Sequence, residues 1–377
     1  AGRLLLAAAA CVLLGAGCNG EGSSPGLVDG VPADVGMEAA VLEGARTYAF
    51  AEERNTQAVV VVRHGTIVAE WYASDRDRSS PAASWSIAKS FTSALIGIAI
   101  GRGEIPSLET PMHTWFPGFL GTEKEEITLR DVLEMASGIA WVESYDPADI
   151  GDSDIAEMAL TRGPSHLEVV LDNPQAHRPG SRFNYSSGDT MLLSHVIQEA
   201  TGMRADEYAQ RYLFEPLGIE EVRWWRDRSG HTLTYCCADL TARDFARFGQ
   251  LYLAGGVYAG RRIVSASWVA RSVAPSRADR EYGLQWWLTG NYDPRLPADT
   301  FSAEGVDGQY IYVVPSLDLV VVRLGRYSPP LVPDGVIDTS LLADIPQGGI
   351  FPGRGTVPPE SWDDFAFLSP ILASIEP

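Results

Sequence analysis

Strand patterns at both ends of the chain, separated by a long helical stretch, constrain the fold more than any other feature. Near the start, Gln57–Arg63 carries four consecutive valines and reads as a buried strand. His64-Gly65 makes a turn, and Thr66–Tyr72 is a second strand, so the pair forms a hairpin. Near the end, Leu284–Leu288, Gln309–Val314 and Leu317–Leu324 read as strands, the last two joined at Pro315-Ser316. Between them helical spacing dominates, with candidates at Thr128–Met135, Gly188–Glu199, Ala205–Phe214 and Ala242–Leu253. Met37 to about Glu53 opens the ordered part with a helix, and Trp362–Ile375 closes it with another. Strands from both ends imply one antiparallel sheet flanked by helices, with a mostly helical insert, an α+β fold. The expected division is residues 35–105 plus 271–377 for the sheet domain and 106–270 for the helical domain.

The chain begins differently. Arg3 precedes an apolar run from Leu4 to Gly17 that ends at Cys18, followed by a loose Gly/Ser/Pro segment. A basic residue, a short apolar stretch and small residues before the break describe a secretory signal over residues 1–18, with 19–34 as a flexible linker. Leu14-Gly15-Ala16-Gly17-Cys18 looks like a bacterial lipoprotein cleavage site. The expectation is an exported protein, periplasmic or at the cell surface, meeting the membrane through a lipid on Cys18. A net charge of −20 argues against nucleic acid as a partner, because a phosphate backbone requires a basic surface. The adjacent Cys236 and Cys237 read as small buried residues, since neighbouring cysteines rarely bridge and no metal-ligand spacing accompanies them. No metal and no cofactor is expected.

Lysine usage singles out one position. Of 29 basic residues only Lys89 and Lys124 are lysines, the rest being arginine. Arginine serves wherever charge alone is needed, whereas a group that must lose its proton has to be lysine. Lys124 lies in a charged loop, but Lys89 stands near the head of a helical segment, Ser84–Ile100, whose second half is apolar on every side and therefore buried. Ser86 is three residues before Lys89, on the same face of the first turn. The helix N-terminus supplies unpaired N–H groups and a positive dipole end that favour charge developing on the serine oxygen. A lysine made neutral by burial can accept the serine proton. The bland alternative is a serine cap beside a solvent-facing lysine.

Two further segments carry polar groups. Pro179–Asp189 presents Tyr185 and a cluster of hydroxyls just before a helix. A tyrosine beside an ammonium has a lowered pKa and can serve as general base, then as acid toward a leaving group. The alternative is a structural tyrosine with Ser187 as helix cap. Ser302–Gln309 opens a strand and holds two glycines that let a ligand approach the backbone, so the Gln309 amide can pair with that of Ser86 as an oxyanion hole.

Together the three segments resemble the serine β-lactamase and penicillin-recognising hydrolase superfamily, with class C β-lactamases, their esterase relatives and 6-aminohexanoate-dimer hydrolases as the nearest branches. Ser86-Ile87-Ala88-Lys89 is similar to its Ser-x-x-Lys motif and Tyr185-Ser186-Ser187 to its Tyr-x-Asn motif, while Gly305–Gln309 falls where Lys-Thr-Gly is expected. The resemblance implies Ser86 as nucleophile, Lys89 as proton acceptor, Tyr185 as acid/base, and an acyl-enzyme released by water. It places Ser187, Asp307 and Gly308 on the substrate side, and Tyr145 as a lid residue. Ser187 stands where the family has Asn and Val306 where it has the Lys that would meet a β-lactam carboxylate. These departures favour small esters or linear amides over β-lactams and D-Ala-D-Ala peptides. They also keep open a non-catalytic exported binding protein of the same fold.

Overall fold

The computed structural model describes residues 26–144, 152–160, 165–220, 222–326 and 362–376. In chain order these form β1 (Val28–Asp29), α1 (Ala39–Ala49), β2 (Thr56–Arg63), β3 (Thr66–Tyr72), β4 (Pro81–Ala83), α2 (Ile87–Gly101), α3 (Leu129–Leu133), α4 (Asp154–Leu160), α5 (His166–Asp172), α6 (Ser187–Thr201) and α7 (Ala205–Ala209). There follow β5 (Arg223–Trp224), β6 (Ala238–Thr241), α8 (Ala242–Leu253), β7 (Val257–Tyr258), β8 (Arg261–Arg262), α9 (Ala266–Ser272), α10 (Thr289–Tyr292), β9 (Phe301–Gly305), β10 (Gln309–Val314), β11 (Leu319–Gly325) and α11 (Asp364–Ala373).

The main sheet has the order β1-β3-β2-β11-β10-β9, so strands from both ends of the chain meet at β2 and β11. Every pairing in it is antiparallel except β1 with β3, which makes the sheet mixed at that edge. The valine run of β2 follows from burial on both faces, because successive side chains point to opposite sides of a sheet. Val60 and Val62 join the core beneath α2 and α8, while Val59 and Val61 join the core beneath α1 and α11.

Two expectations are corrected. Leu284–Leu288 is not a strand; only isolated bridges at Tyr282 and Trp287 touch it. Gln285 adopts φ +65° and is tied in three directions. Its carbonyl accepts from Ser90, its Nε2 donates to the Leu133 carbonyl, and its Oε1 accepts from Thr190. The left-handed backbone and the carbonyl bond to Ser90 take Gln285 out of a strand ladder, while its side-chain amide ties the segment to Leu133 and Thr190. Helix α8, grouped from sequence with the insert, instead packs on β10, β11 and β2. Gly249 allows this, since a Cβ there would stand 2.6 Å from Val320 Cγ1 and 2.8 Å from Ile311 Cγ2.

Arg323, fully buried on β11, braces the end of the sheet nearest the polar site. It donates to Thr56 Oγ1, to the carbonyls of Asp307 and Gly308, and to the Arg54 carbonyl, and its guanidinium lies 4.3 Å from the Trp362 ring centroid. Replacing it by Met leaves those carbonyls buried without their donors. Arg323→Met is expected to lose about 3–5 kcal/mol of stability, read from urea unfolding midpoints; a loss below about 1 kcal/mol would contradict this account.

Candidate active site

Ser86 sits immediately before α2, and the helix behind it is buried over Ile87–Ala99. Phe91 anchors that helix edge-on against Phe214, Trp224 and Phe248. A hydroxyl at the mouth of such an element is held by the core, not by a loop. The turn that delivers it is unusual. Trp85 has φ +46°, a conformation bulky residues rarely adopt, and its indole N–H donates to Asp307 Oδ2 at 3.1 Å. Asp307 itself has φ +67° and Gly308 φ +73°. Burial pushes the Asp307 carboxyl up to about 7, against the Trp85 hydrogen bond.

Lys89 Nζ, 1% exposed, has three partners: Ser86 Oγ at 3.0 Å, Ser187 Oγ at 3.0 Å and the Tyr235 carbonyl at 3.1 Å. Burial lowers its pKa to about 8, against the opposing charge of Glu143. The partners fix what a neutral Lys89 can do. The Ser187 hydroxyl donates to Glu143 Oε1 at 2.6 Å, so its oxygen can only accept from Lys89. The Tyr235 carbonyl also only accepts. A neutral amine has two N–H groups and one lone pair, and these acceptors use both N–H groups. The lone pair then faces the Ser86 hydroxyl.

Tyr185 completes the group. Its ring centroid lies 5.0 Å from Lys89 Nζ, and the ring stacks on Trp287 and meets Tyr282 edge-on. Its hydroxyl interacts with Ser86. The expected lowered pKa is not found. Burial and then the Glu143 charge raise it well above the ordinary tyrosine value, outweighing the Ser86 hydrogen bond. Tyr185 therefore holds its proton more tightly than a free tyrosine, whereas Lys89 gives its own up more readily than a free lysine.

The structure thus brings Ser86, Lys89, Tyr185 and Ser187 together. Ser186, not Ser187, caps α6 by accepting from the Asp189 amide at 2.9 Å. Gln309 is placed elsewhere than expected. It lies on β10, one strand in from the edge, with its side-chain amide paired to the Gly325 backbone. The strand that meets Ser86 is β9, where a Cβ on Gly305 would stand 3.2 Å from the Ser86 nitrogen and 2.6 Å from the Ser84 oxygen. Asp307 reaches the site through Trp85, and Gly308 lies buried in the same turn. Tyr145 and Cys18 lie outside the described residues. Among the described residues no group of three or more His, Cys, Asp or Glu side chains is placed to hold a metal.

Two features escaped the sequence. Glu143 holds the Ser187 hydroxyl, accepts from the Ser187 amide at 2.9 Å and accepts from the Trp141 indole at 2.5 Å. A carboxylate at the N-terminus of α6 is favoured by the helix dipole, but nothing local marks a single Glu 44 residues from its partner. The second is a correction: Cys236 and Cys237 are bridged to each other, with Cα atoms 3.7 Å apart. Cys237 takes φ +72°, a turn in which neighbouring sulfurs can meet.

A sequence profile of the Beta-lactamase family matches residues 48–342. The 6-aminohexanoate-dimer hydrolase of Paenarthrobacter ureafaciens is 28% identical over 298 residues, covering 74% of each chain. A Bacillus anthracis structure carrying a provisional name as a 6-aminohexanoate-dimer hydrolase aligns at a TM-score of 0.63 with 24% identity, over 82% of this chain and 83% of the other. EstCE1, described as a hydrolase with promiscuous acyltransferase activity, aligns at 0.62 with 15% identity, over 76% and 93%.

Proposed function

This chain belongs to the Beta-lactamase family and is a hydrolase of serine type, and from that premise we propose that it cleaves small esters or linear amides through an acyl-enzyme on Ser86. The observation that carries this reading is the set of contacts at Lys89 Nζ: with Ser187 and Tyr235 accepting two N–H groups, a neutral amine turns its lone pair to the Ser86 hydroxyl. The Ser86 proton passes to Lys89 Nζ as Oγ attacks the acyl carbon. The carbonyl oxygen becomes an oxyanion at the start of α2, between the Ser86 amide and the end of β9 at Gly305, which approaches the Ser86 nitrogen. Tyr185 donates its proton to the leaving oxygen or nitrogen and recovers one from Lys89. Water then attacks the acyl carbon, its proton moves back through the same pair, and Ser86 is released.

The preferred substrate class rests on the third motif, where Val306 stands in place of the Lys that would meet a β-lactam carboxylate. Val306 and the buried Asp307 occupy that segment. The Paenarthrobacter relative is named for a 6-aminohexanoate dimer, a linear amide, which agrees with this preference. A bridged cysteine pair supports an oxidising compartment, in keeping with the export expected from the first residues.

Rapid quenching with a short-chain p-nitrophenyl ester tests the reading. A burst of nitrophenol and an intact-mass adduct mapping to Ser86 are expected; no adduct, or turnover indifferent to Ser86→Ala, would overturn it. A panel of nitrocefin, short esters and linear amides then selects the substrate class.

The pH profile supplies a second test. Lys89 must be neutral in the free enzyme, so kcat/KM rises with pH through a limb near 8. Glu143 raises the Lys89 pKa, so Glu143→Gln moves that limb to lower pH. A limb that stays put or moves upward in Glu143→Gln counts against Lys89 as the titrating group.

A further inference from the structure

The bridged pair Cys236–Cys237 immediately follows Tyr235, whose carbonyl is one of the two acceptors that orient the Lys89 lone pair. Tyr235 is held at its other end too: its hydroxyl pairs with His166 Nδ1 at 3.1 Å, and its ring lies 5.7 Å from Lys89 Nζ. On both sides of the bridge the backbone is stitched to the nucleophile's own element. The Thr234 carbonyl accepts from Thr92 Oγ1 on α2, and the Ala238 carbonyl accepts from the Ser84 amide while its own N–H donates to Ser84 Oγ. The bridge therefore lies between two contacts that define where Lys89 and Ser86 stand. Closing a ring across residues 236 and 237 fixes the peptide between them. The Cys236 carbonyl then accepts from the Trp224 indole, and the Cys237 carbonyl accepts from the Trp225 amide.

We propose that the Cys236–Cys237 disulfide is a positioning element for Lys89 and that its reduction turns hydrolysis down, making the enzyme responsive to thiols. This rests on the acyl-enzyme reading above. Reduction by a dithiol breaks the S–S bond, adds two electrons and two protons to give two cysteine thiols, and converts the dithiol to its cyclic disulfide. Once the ring opens, the positive-φ turn at Cys237 loses its covalent restraint. The Tyr235 carbonyl moves off Nζ, and water reaches the amine. The groups facing Lys89 are Ser86 on its own helix, Ser187 and Tyr185 at the start of α6, Glu143 before α4, and Tyr235. Only the last is moved.

The test compares the full-length protein before and after dithiothreitol, with free thiols counted by mass spectrometry, and the double variant Cys236→Ser/Cys237→Ser. Reduction and the double variant are each expected to lower kcat on a p-nitrophenyl ester about tenfold and to move the kcat/KM limb to higher pH, as a rehydrated amine regains basicity. Reoxidation should restore the rate, and the double variant should ignore dithiothreitol. Unchanged kcat and limb with both thiols shown to be free would overturn the proposal, as would a folded double variant with the original rate and limb. If the double variant does not fold, the reduced protein decides; if the bridge resists reduction, the variant decides. Failure of the oxidised protein to acylate at Ser86 would be a failure of the hydrolase reading instead, and that measurement is independent of the bridge.

Discussion

Lys89→Arg is expected to lower kcat/KM by about 10³–10⁴-fold while the protein stays folded and the charge at the position is kept. The loss has one cause. Arginine remains protonated at every pH at which the protein is folded, so no lone pair is available to take the Ser86 proton. The burst of p-nitrophenol should vanish with it, since acylation is the step that fails. Raising the pH should not rescue the variant, whereas the wild type gains activity through pH 8. Circular dichroism and melting temperature check that the larger guanidinium is accommodated. A folded variant that keeps more than a tenth of the rate would remove Lys89 from the chemistry.

Gly305→Ala is expected to lower kcat by about 10²-fold with a far smaller effect on stability. An added Cβ would stand 2.6 Å from the Ser84 oxygen, 3.1 Å from the Trp85 Cβ and 3.2 Å from the Ser86 nitrogen. These are backbone or near-backbone atoms and cannot rotate aside. The end of β9 must therefore back away from Ser86. β9 is the edge of the sheet, so it can do so without breaking the core. The distance between the Ser86 amide and the end of β9 then grows, and the penalty falls on the transition state. Steady-state kinetics and thermal melts on the same preparation separate the two effects. An unaltered kcat would show that β9 takes no part in stabilising the oxyanion.

The parts of this site that were legible in the sequence are those encoded within one helical turn. Ser86 and Lys89 are three residues apart on an apolar helix, and a lysine in a chain that otherwise uses arginine stands out. The sheet was legible because four valines in a row on β2 require burial on both faces. What could not be read depends on contacts between distant segments. Glu143 matters because α6 begins beside it, and burial, with the same carboxylate adding to it, reverses the expected direction of the Tyr185 pKa. Gln309 looked suited to the oxyanion because strand order was unknown; with β9 at the edge, the approach belongs to Gly305. Trp286 and Trp287 gave Leu284–Leu288 the appearance of a strand, but the Gln285 hydrogen bonds bind that segment to α2, α3 and α6. The cysteine pair was misjudged because the general reluctance of neighbours to bridge is overcome by a single positive-φ residue.

Helix α2 has its side chains buried from Ile87 to Ala99, and Ser86, the proposed nucleophile, stands immediately before it. On the proposed mechanism the reacting groups thus stand on a piece of the molecule that tolerates little substitution. New substrate preferences in such a scaffold have little room to arise from within. They must come from the rim, where segments can lengthen, shorten or change chemistry while the reacting groups stay in place, so that diversification of what is cleaved is separated from preservation of how it is cleaved.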